Sequence, residues 1–476
     1  MPLFLKPYFK IFFSFSFLLL LIIFQNRNFG IDGYYYLAQF LYSPHLFEPH
    51  HLLHHYVYYF LSYPWFYLTH GYLNFEFLFI FWNSLFFVLS LEILNEIRKL
   101  IYHEEDLFSI GLVAFSGIGL RYATEVEIYI FPLFLALLAT FYFLKSIHLT
   151  STHFLFLGSS FLSFAVLNHQ LMFIWWLVLT FWYIFQIKAN FHKILIHLVI
   201  SLSVPITYYL VASSNGYNFW IYILNDYVNG SADISFTWKN FVLTAVNLTR
   251  IFLFFNEAIF VITKNPFLLA LHLILLVLLF FCCKSLLKKI KHKMQRNFAN
   301  QLLYSLLVVN LAFIVFSHGN YEFMVPLPFI LSLLLPKIPN LIYVKFTIIL
   351  ILFTWNFVNL LYPFHYKDFY GKNHLLQIFN SKQNVSFLLK DASWFRNFIY
   401  YHTGIVHSSR ILMQTDVSQI DQLLRKGVII YTDYPNSENI NRRNFVYNYQ
   451  IPSKYKLEKR DSIQTFFGKK FLYQIQ

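Results

Sequence analysis

Apolar runs of about 17–25 residues recur along this chain, separated by short polar stretches. The runs are continuous rather than alternating. That pattern predicts membrane-spanning α-helices and argues against a transmembrane β-barrel. Read in order with the loop charges, it predicts about eleven spans, N-terminus inside and C-terminus outside. The first span, about 9–25, leads outward to a segment at about 26–56. Aromatic-rich helical material returns to an inside loop carrying Arg98 and Lys99. Spans at about 107–121, 128–144, 154–167, 171–187 and 194–212 follow, with Lys145, Lys188 and Lys193 marking inside ends. A long outside loop covers about 213–250.

The clearest orientation marker is Lys284, Lys288, Lys289, Lys291, Lys293 and Arg296, after the apolar run at 266–281. Charges this dense beside a helix belong on the cytoplasmic side. The parity then requires 251–263, which holds Asn256 and Glu257, to be interfacial or re-entrant rather than a full span. A span at about 301–316, a short helix between Pro326 and Pro336, and a last span at about 341–361 complete the set. From about 363 the chain turns polar. Residues 410–414 and 428–431 read as strands, and 416–424 as a helix capped by Asp416 and ended by Gly427. The expected organisation is a transmembrane domain at 1–362 and a small extracytoplasmic α/β domain at 363–476.

Composition agrees. Of 476 residues, 58% are hydrophobic and 12% charged, about half the charged share of a soluble domain. The 60 phenylalanines and 35 tyrosines suit lipid-facing bulk. A net charge of +14 would point to nucleic acid in a soluble protein; here it reflects cytoplasmic loops, and nucleic acid is not an expected partner. Cys282 and Cys283 are adjacent, which excludes a disulfide framework. Lys6 and Lys10 precede the first apolar run without a small-x-small cleavage site, so an uncleaved first helix is expected.

The polar groups expected on the outside face are the candidate chemistry. Asp32 follows the first span, between Gly30 and Gly33 and before Tyr34-Tyr35-Tyr36. A carboxylate there can accept a proton at the water–lipid boundary. Glu48-Pro49-His50-His51-Leu52-Leu53-His54-His55 comes next, with His45 just before. On one helix, His50/His54 and His51/His55 would be i,i+4 pairs, a spacing at which two imidazoles share a divalent metal. Recognition of a phosphate by one or two of these histidines is the expected role. Arg121, Glu125 and Glu127 fall in a short outside turn, where the acids also suit a helix N-terminus. His169-Gln170, His318, Tyr321 and Glu322 end later helices on the same face. Ionisable groups at membrane depth face a cavity or a partner.

This ordered set resembles the GT-C fold glycosyltransferases, in particular those related to the protein O-mannosyltransferases and lipid A aminoarabinose transferases. The resemblance rests on Asp32 in the first outside loop, Pro-His-His-Leu-Leu at 49–53 and Glu127-Ile128-Tyr129 after the second outside loop. It rests also on His169-Gln170 and the Tyr-x-x-x-x-Pro stretch at 321–326. Several relatives carry Asp-Glu where this chain has Asp32-Gly33. The resemblance implies an integral membrane enzyme that takes a sugar from a polyprenyl-phosphate donor and passes it to a lipid, glycan or protein acceptor by inverting displacement. Asp32 would be the base. Arg121, His50, His51 and His169 would stabilise the leaving phosphate. Glu127, Glu125, Gln170 and Tyr321 would help bind substrate. The resemblance to bacterial members implies the inner (plasma) membrane. Two other readings stay open: a lipid or polysaccharide transporter, and a polysaccharide polymerase or ligase working through the 213–250 loop with Asp226, Asp233, Lys239 and Arg250.

Overall fold

The computed structural model describes residues 6–43, 46–103, 105–186, 190–223, 237–290, 298–336, 341–413, 417–434 and 451–476. His45, Lys188, Asp226, Asp233, Lys291, Lys293, Arg296 and Asp416 lie outside them. The described chain forms two compact units. One contains residues 1–25 and 46–362, the other 26–45 and 363–476.

The first unit is helical. Six described helices are long and apolar enough to cross a membrane: Phe75–Tyr102, Ile130–His148, Phe191–Ser214, Pro266–Lys288, Ala299–Phe316 and Ile342–Tyr366. Leu107–Ala114 and Gly117–Thr124 pass the same test as a pair bent by 58°, and four shorter apolar helices accompany them. The sequence pattern predicts one straight span at about 107–121. The structure breaks it at Ser116, whose hydroxyl donates to Val113 O and accepts from Gly119 N–H. The long helices divide by environment. Ile130–His148 buries 67% of its apolar window against neighbours, Pro266–Lys288 only 11%. The second therefore offers its side chains to lipid, where apolar surface costs nothing.

Residues 251–263 do not span. They form a turn followed by the five-residue helix Ala258–Ile262, about 8 Å long at 1.5 Å per residue. Non-helical backbone at membrane depth survives where protein satisfies its polar groups. Here Gly117 N–H donates to Phe252 O and Ile118 N–H to Ile251 O, each at 3.1 Å. Asn356, fully buried, accepts from Phe254 N–H at 2.8 Å and donates to Phe115 O and Phe252 O at 2.7 Å. Trp355 Nε1–H donates to Phe254 O. One asparagine thus ties both irregular segments, and a π-helical turn, Phe357–Leu361, follows it directly. Gly117 permits the approach, since a Cβ there would lie 2.8 Å from Phe254 N.

The second unit holds a five-stranded sheet: β1 (Val385–Leu388), β2 (Ile411–Leu412), β3 (Ile429–Thr432), β4 (Leu457–Thr465) and β5 (Gly468–Ile475), in the order β2-β1-β3-β5-β4. The first three are parallel and the last two add antiparallel. All four β1 residues are buried, as expected of a parallel strand covered on both faces. Helices Lys372–Ser381, Ala392–Thr403 and Val417–Arg425 accompany the sheet. Gly427 ends the last with φ +71°, the left-handed value that favours glycine. The strands expected at 410–414 and 428–431 correspond to β2 and β3, while β1, β4 and β5 went unread. Residues 26–43 join this unit. There the expected outside loop contains a helix, Ile31–Tyr42, with Gly33, Tyr34, Tyr36, Leu37, Ala38 and Phe40 buried.

Candidate functional site

Asp32 occupies the first turn of Ile31–Tyr42 and is exposed. It belongs to the second unit. The other sequence-derived candidates belong to the first.

Proline at the start of a tight turn sets the histidine group. Pro49–His51 is one 3-10 turn, and His54 and His55 open the next helix, His54–Leu68. The i,i+4 arrangement conditional on one helix is not formed: Leu52 and Leu53 intervene, and the His54 ring stacks on Tyr58 at 4.3 Å. Gln170 brackets the turn. Its Oε1 lies 2.9 Å from His50 Nδ1, its Nε2–H donates to Pro49 O, and its backbone N–H donates to His50 O. The Tyr208 hydroxyl also donates to Pro49 O. His169, one residue earlier, lies 4.9 Å from His51 and 4.9 Å from Tyr129, ring to ring.

Four of these imidazoles, those of His51, His54, His55 and His169, are held neutral. Burial pushes His55 down to about 4 and, with His50 nearby, His169 down to about 3. His51 and His54 fall well below the usual value, first through burial and then through neighbouring imidazoles. The His169 tautomer follows from its contacts. Its Nδ1 accepts from Leu171 N–H at 3.0 Å, which leaves Nε2 as the protonated nitrogen. That Nε2–H is buried and has no hydrogen-bond partner among the described residues. Among the described residues no group of three or more His, Cys, Asp or Glu side chains is placed to hold a metal ion.

Tyr129 leads from the histidines to a pair of arginines. Its hydroxyl donates to Glu322 Oε2 at 2.9 Å, and its ring meets Tyr122 at 5.2 Å. Tyr122 lies 6.4 Å from Tyr321. The Tyr321 ring has the Arg250 guanidinium at 4.6 Å and that of Arg121 at 5.7 Å. Arg121 is paired with Glu125 at 2.9 Å. Arg250 has neutral acceptors, Phe255 O and Asn247 Oδ1, and no carboxylate pairs with it among the described residues. Glu127 is buried, and its carbonyl and that of Glu125 both accept from Asn83 Nδ2.

The structure thus brings His50, His51, His169 and Gln170 together, and links them through Tyr129 and Tyr122 to Tyr321, Arg121 and Glu125. Arg250 entered the sequence reading only as part of the loop of a rival function. The available signal was its place as the one arginine where the helix Trp238–Arg250 gives way to the non-spanning segment. Tyr122 carried no signal, because one tyrosine among 35 is not distinctive. A guanidinium with no carboxylate partner among the described residues can hold an anion whose charge grows during a reaction, and a buried imidazole N–H can donate to one.

No family model matches the sequence, and no curated protein matches it. Solved structures do match in fold. ArnT from Cupriavidus metallidurans bound to undecaprenyl phosphate aligns over 98% of this chain and 98% of its own, at 10% identity and a TM-score of 0.54. The same protein in its apo state aligns over the same shares at 9% identity and a TM-score of 0.47. The chain has an ArnT-like fold from end to end. With its long apolar helices, it is an integral membrane protein.

Proposed function

We propose that the chain is a membrane glycosyltransferase that moves a sugar from a polyprenyl-phosphate carrier to an extracytoplasmic acceptor, a lipid, glycan or protein. The observation that carries this reading is the end-to-end fold likeness to an enzyme solved with undecaprenyl phosphate. The bent pair and the four shorter apolar helices, read as crossings beside the six long ones, give the eleven-span topology. In it residues 363–476 are extracytoplasmic.

The reaction is a single displacement at the anomeric carbon. The acceptor hydroxyl attacks, its proton passes to Asp32, and the bond from the anomeric carbon to the carrier phosphate breaks with inversion. The departing phosphate gains negative charge. Arg250, with no carboxylate partner among the described residues, stabilises it with Arg121, and His169 donates through Nε2–H. Neutral histidines suit this role, since they supply hydrogen bonds without a counterion to displace. His50 and His51 complete the phosphate side, with Gln170 fixing the turn that carries them. Glu125 orients Arg121, Glu127 orients the acceptor or a histidine, and Tyr321 supports both guanidinium groups.

The test is sugar transfer in membranes holding wild type or Asp32→Asn at equal protein level, with polyprenyl-phosphate sugars as donors. Loss of product in the variant supports the reading. Turnover equal to wild type removes Asp32 from the chemistry and shifts weight to a polymerase centred on Arg250.

A further inference from the structure

The residues leading into Asp32 are fixed by side chains more than 300 positions away in sequence. Asn28, nearly fully buried, donates through Nδ2 to Phe364 O at 2.8 Å and Lys367 O at 2.7 Å, and its Oδ1 accepts from Phe369 N–H at 3.0 Å. Arg27 N–H donates to Phe364 O, and Lys372 Nζ donates to Arg27 O. Two further bonds come from the helix Ala392–Thr403. Trp394 Nε1–H donates to Phe29 O at 3.1 Å, and Asn397 Nδ2–H donates to Ile31 O at 3.0 Å. Ile31 is the residue immediately before Asp32.

Packing reinforces the same geometry. The Tyr34 ring, two residues past Asp32, meets Phe398 at 5.1 Å, Trp394 at 5.9 Å and Tyr401 at 5.9 Å. Trp394 is itself locked, its indole stacked on Tyr370 at 4.1 Å and on Phe398 at 5.2 Å. The Tyr42 hydroxyl donates to Tyr401 O at the far end of the Asp32 helix. A Cβ at Gly404 would lie 3.0 Å from the Tyr42 ring. So both ends of the Asp32 helix, and the loop that enters it, are bonded to one helix of the C-terminal domain.

We propose that Asn397 and Trp394 are positioning residues for Asp32, and that the C-terminal domain serves the reaction as the scaffold of its base. This rests on the reading of Asp32 as the base. The bonds end on the carbonyls of Phe29 and Ile31, so they fix the direction in which the helix leaves the loop and hence where the carboxylate stands. They touch no group assigned to the donor phosphate. Their loss therefore slows the chemical step and spares donor binding. A misplacement of about 1 Å costs about 10²-fold in rate.

The test uses the full-length protein in lipid nanodiscs, with two readouts. One is hydrogen–deuterium exchange over residues 27–36. The other is transfer kinetics with a polyprenyl-phosphate sugar. Trp394→Phe keeps the stacked ring and removes the donor; Asn397→Ala removes the second donor. Both are expected to speed exchange over 29–33 while peptides of β1 and β3 stay protected. kcat should fall about tenfold or more, with donor KM within about twofold of wild type. Asn397→Gln, which keeps an amide donor, should recover part of kcat. Faster exchange with unchanged kcat overturns the proposal, as does a fall in kcat with unchanged exchange. Exchange raised throughout the sheet, with activity per folded molecule intact, also overturns it. Failure of the underlying reading looks different: Asp32→Asn would then turn over like wild type, whatever the exchange data show.

Discussion

Removal of the Asn356 side chain tests whether one buried amide holds the non-spanning segment in place. Asn356→Ala deletes three hydrogen bonds, to Phe254 N–H, Phe115 O and Phe252 O. Polar contacts inside membrane proteins average about 0.6 kcal/mol, because the unfolded chain in lipid also finds partners. Three such contacts give about 2 kcal/mol. Phe252 O keeps the Gly117 N–H, but the Phe254 N–H loses its acceptor. An orphaned buried donor costs about 1–3 kcal/mol, so the total is about 3–5 kcal/mol. At about 2 °C per kcal/mol, Tm in detergent should fall by about 6–10 °C. Asn310→Ala is the control, since its amide donates to Leu306 O on its own helix; it should move Tm by about 1 °C. Arg250 precedes the held segment by one residue, so the Asn356 variant should also raise donor KM. A Tm within about 1 °C of wild type, or an equal drop in both variants, would refute the argument.

Two more outcomes follow from packing and burial. Gly117→Ala places a Cβ 2.8 Å from Phe254 N and 3.0 Å from Arg250 O, backbone atoms that cannot rotate away. A destabilisation of about 1–3 kcal/mol is expected, read as a lower detergent Tm, and wild-type stability would show the close approach to be soft. The buried histidines predict acid sensitivity. His55 and His169 titrate at about 4 and about 3 in the folded protein, below about 6.5 in the unfolded chain. Between these values the unfolded chain binds protons that the folded one refuses. The stability is therefore complete above pH 6.5 and is lost as pH falls, by about 2 kcal/mol per group at pH 5. Thermal unfolding at pH 7.5 and pH 5 checks this, His55→Gln should flatten the profile, and a flat wild-type profile would count against neutral buried rings.

The long apolar helices were legible because a bilayer demands long apolar runs, and such runs are a local property of sequence. The GT-C-like layout was legible for a related reason: short motifs in fixed order mark the ends of those runs. The break at Ser116-Gly117 was not. It sits inside a continuous apolar stretch, and its backbone groups are satisfied by residues 251–252 and by Asn356, more than 130 and 230 positions away. Arg250 became a candidate for the same reason, since its neighbour Tyr321 is brought to it by folding alone. The histidine spacing alone could not fix their arrangement, because i,i+4 holds only on one helix and Pro49 starts a separate turn.

The sequence by itself determined that this is a helical membrane protein with a small α/β portion in its C-terminal residues. Lipid leaves the chain little freedom in the membrane, so hydropathy alone decides. Only the tertiary structure decided that residues 26–43 pack with the C-terminal residues, and that Trp394 and Asn397 bond the loop entering Asp32. Those are hydrogen bonds from side chains to distant carbonyls. Any residue can supply the carbonyl, so no local pattern records which one is used.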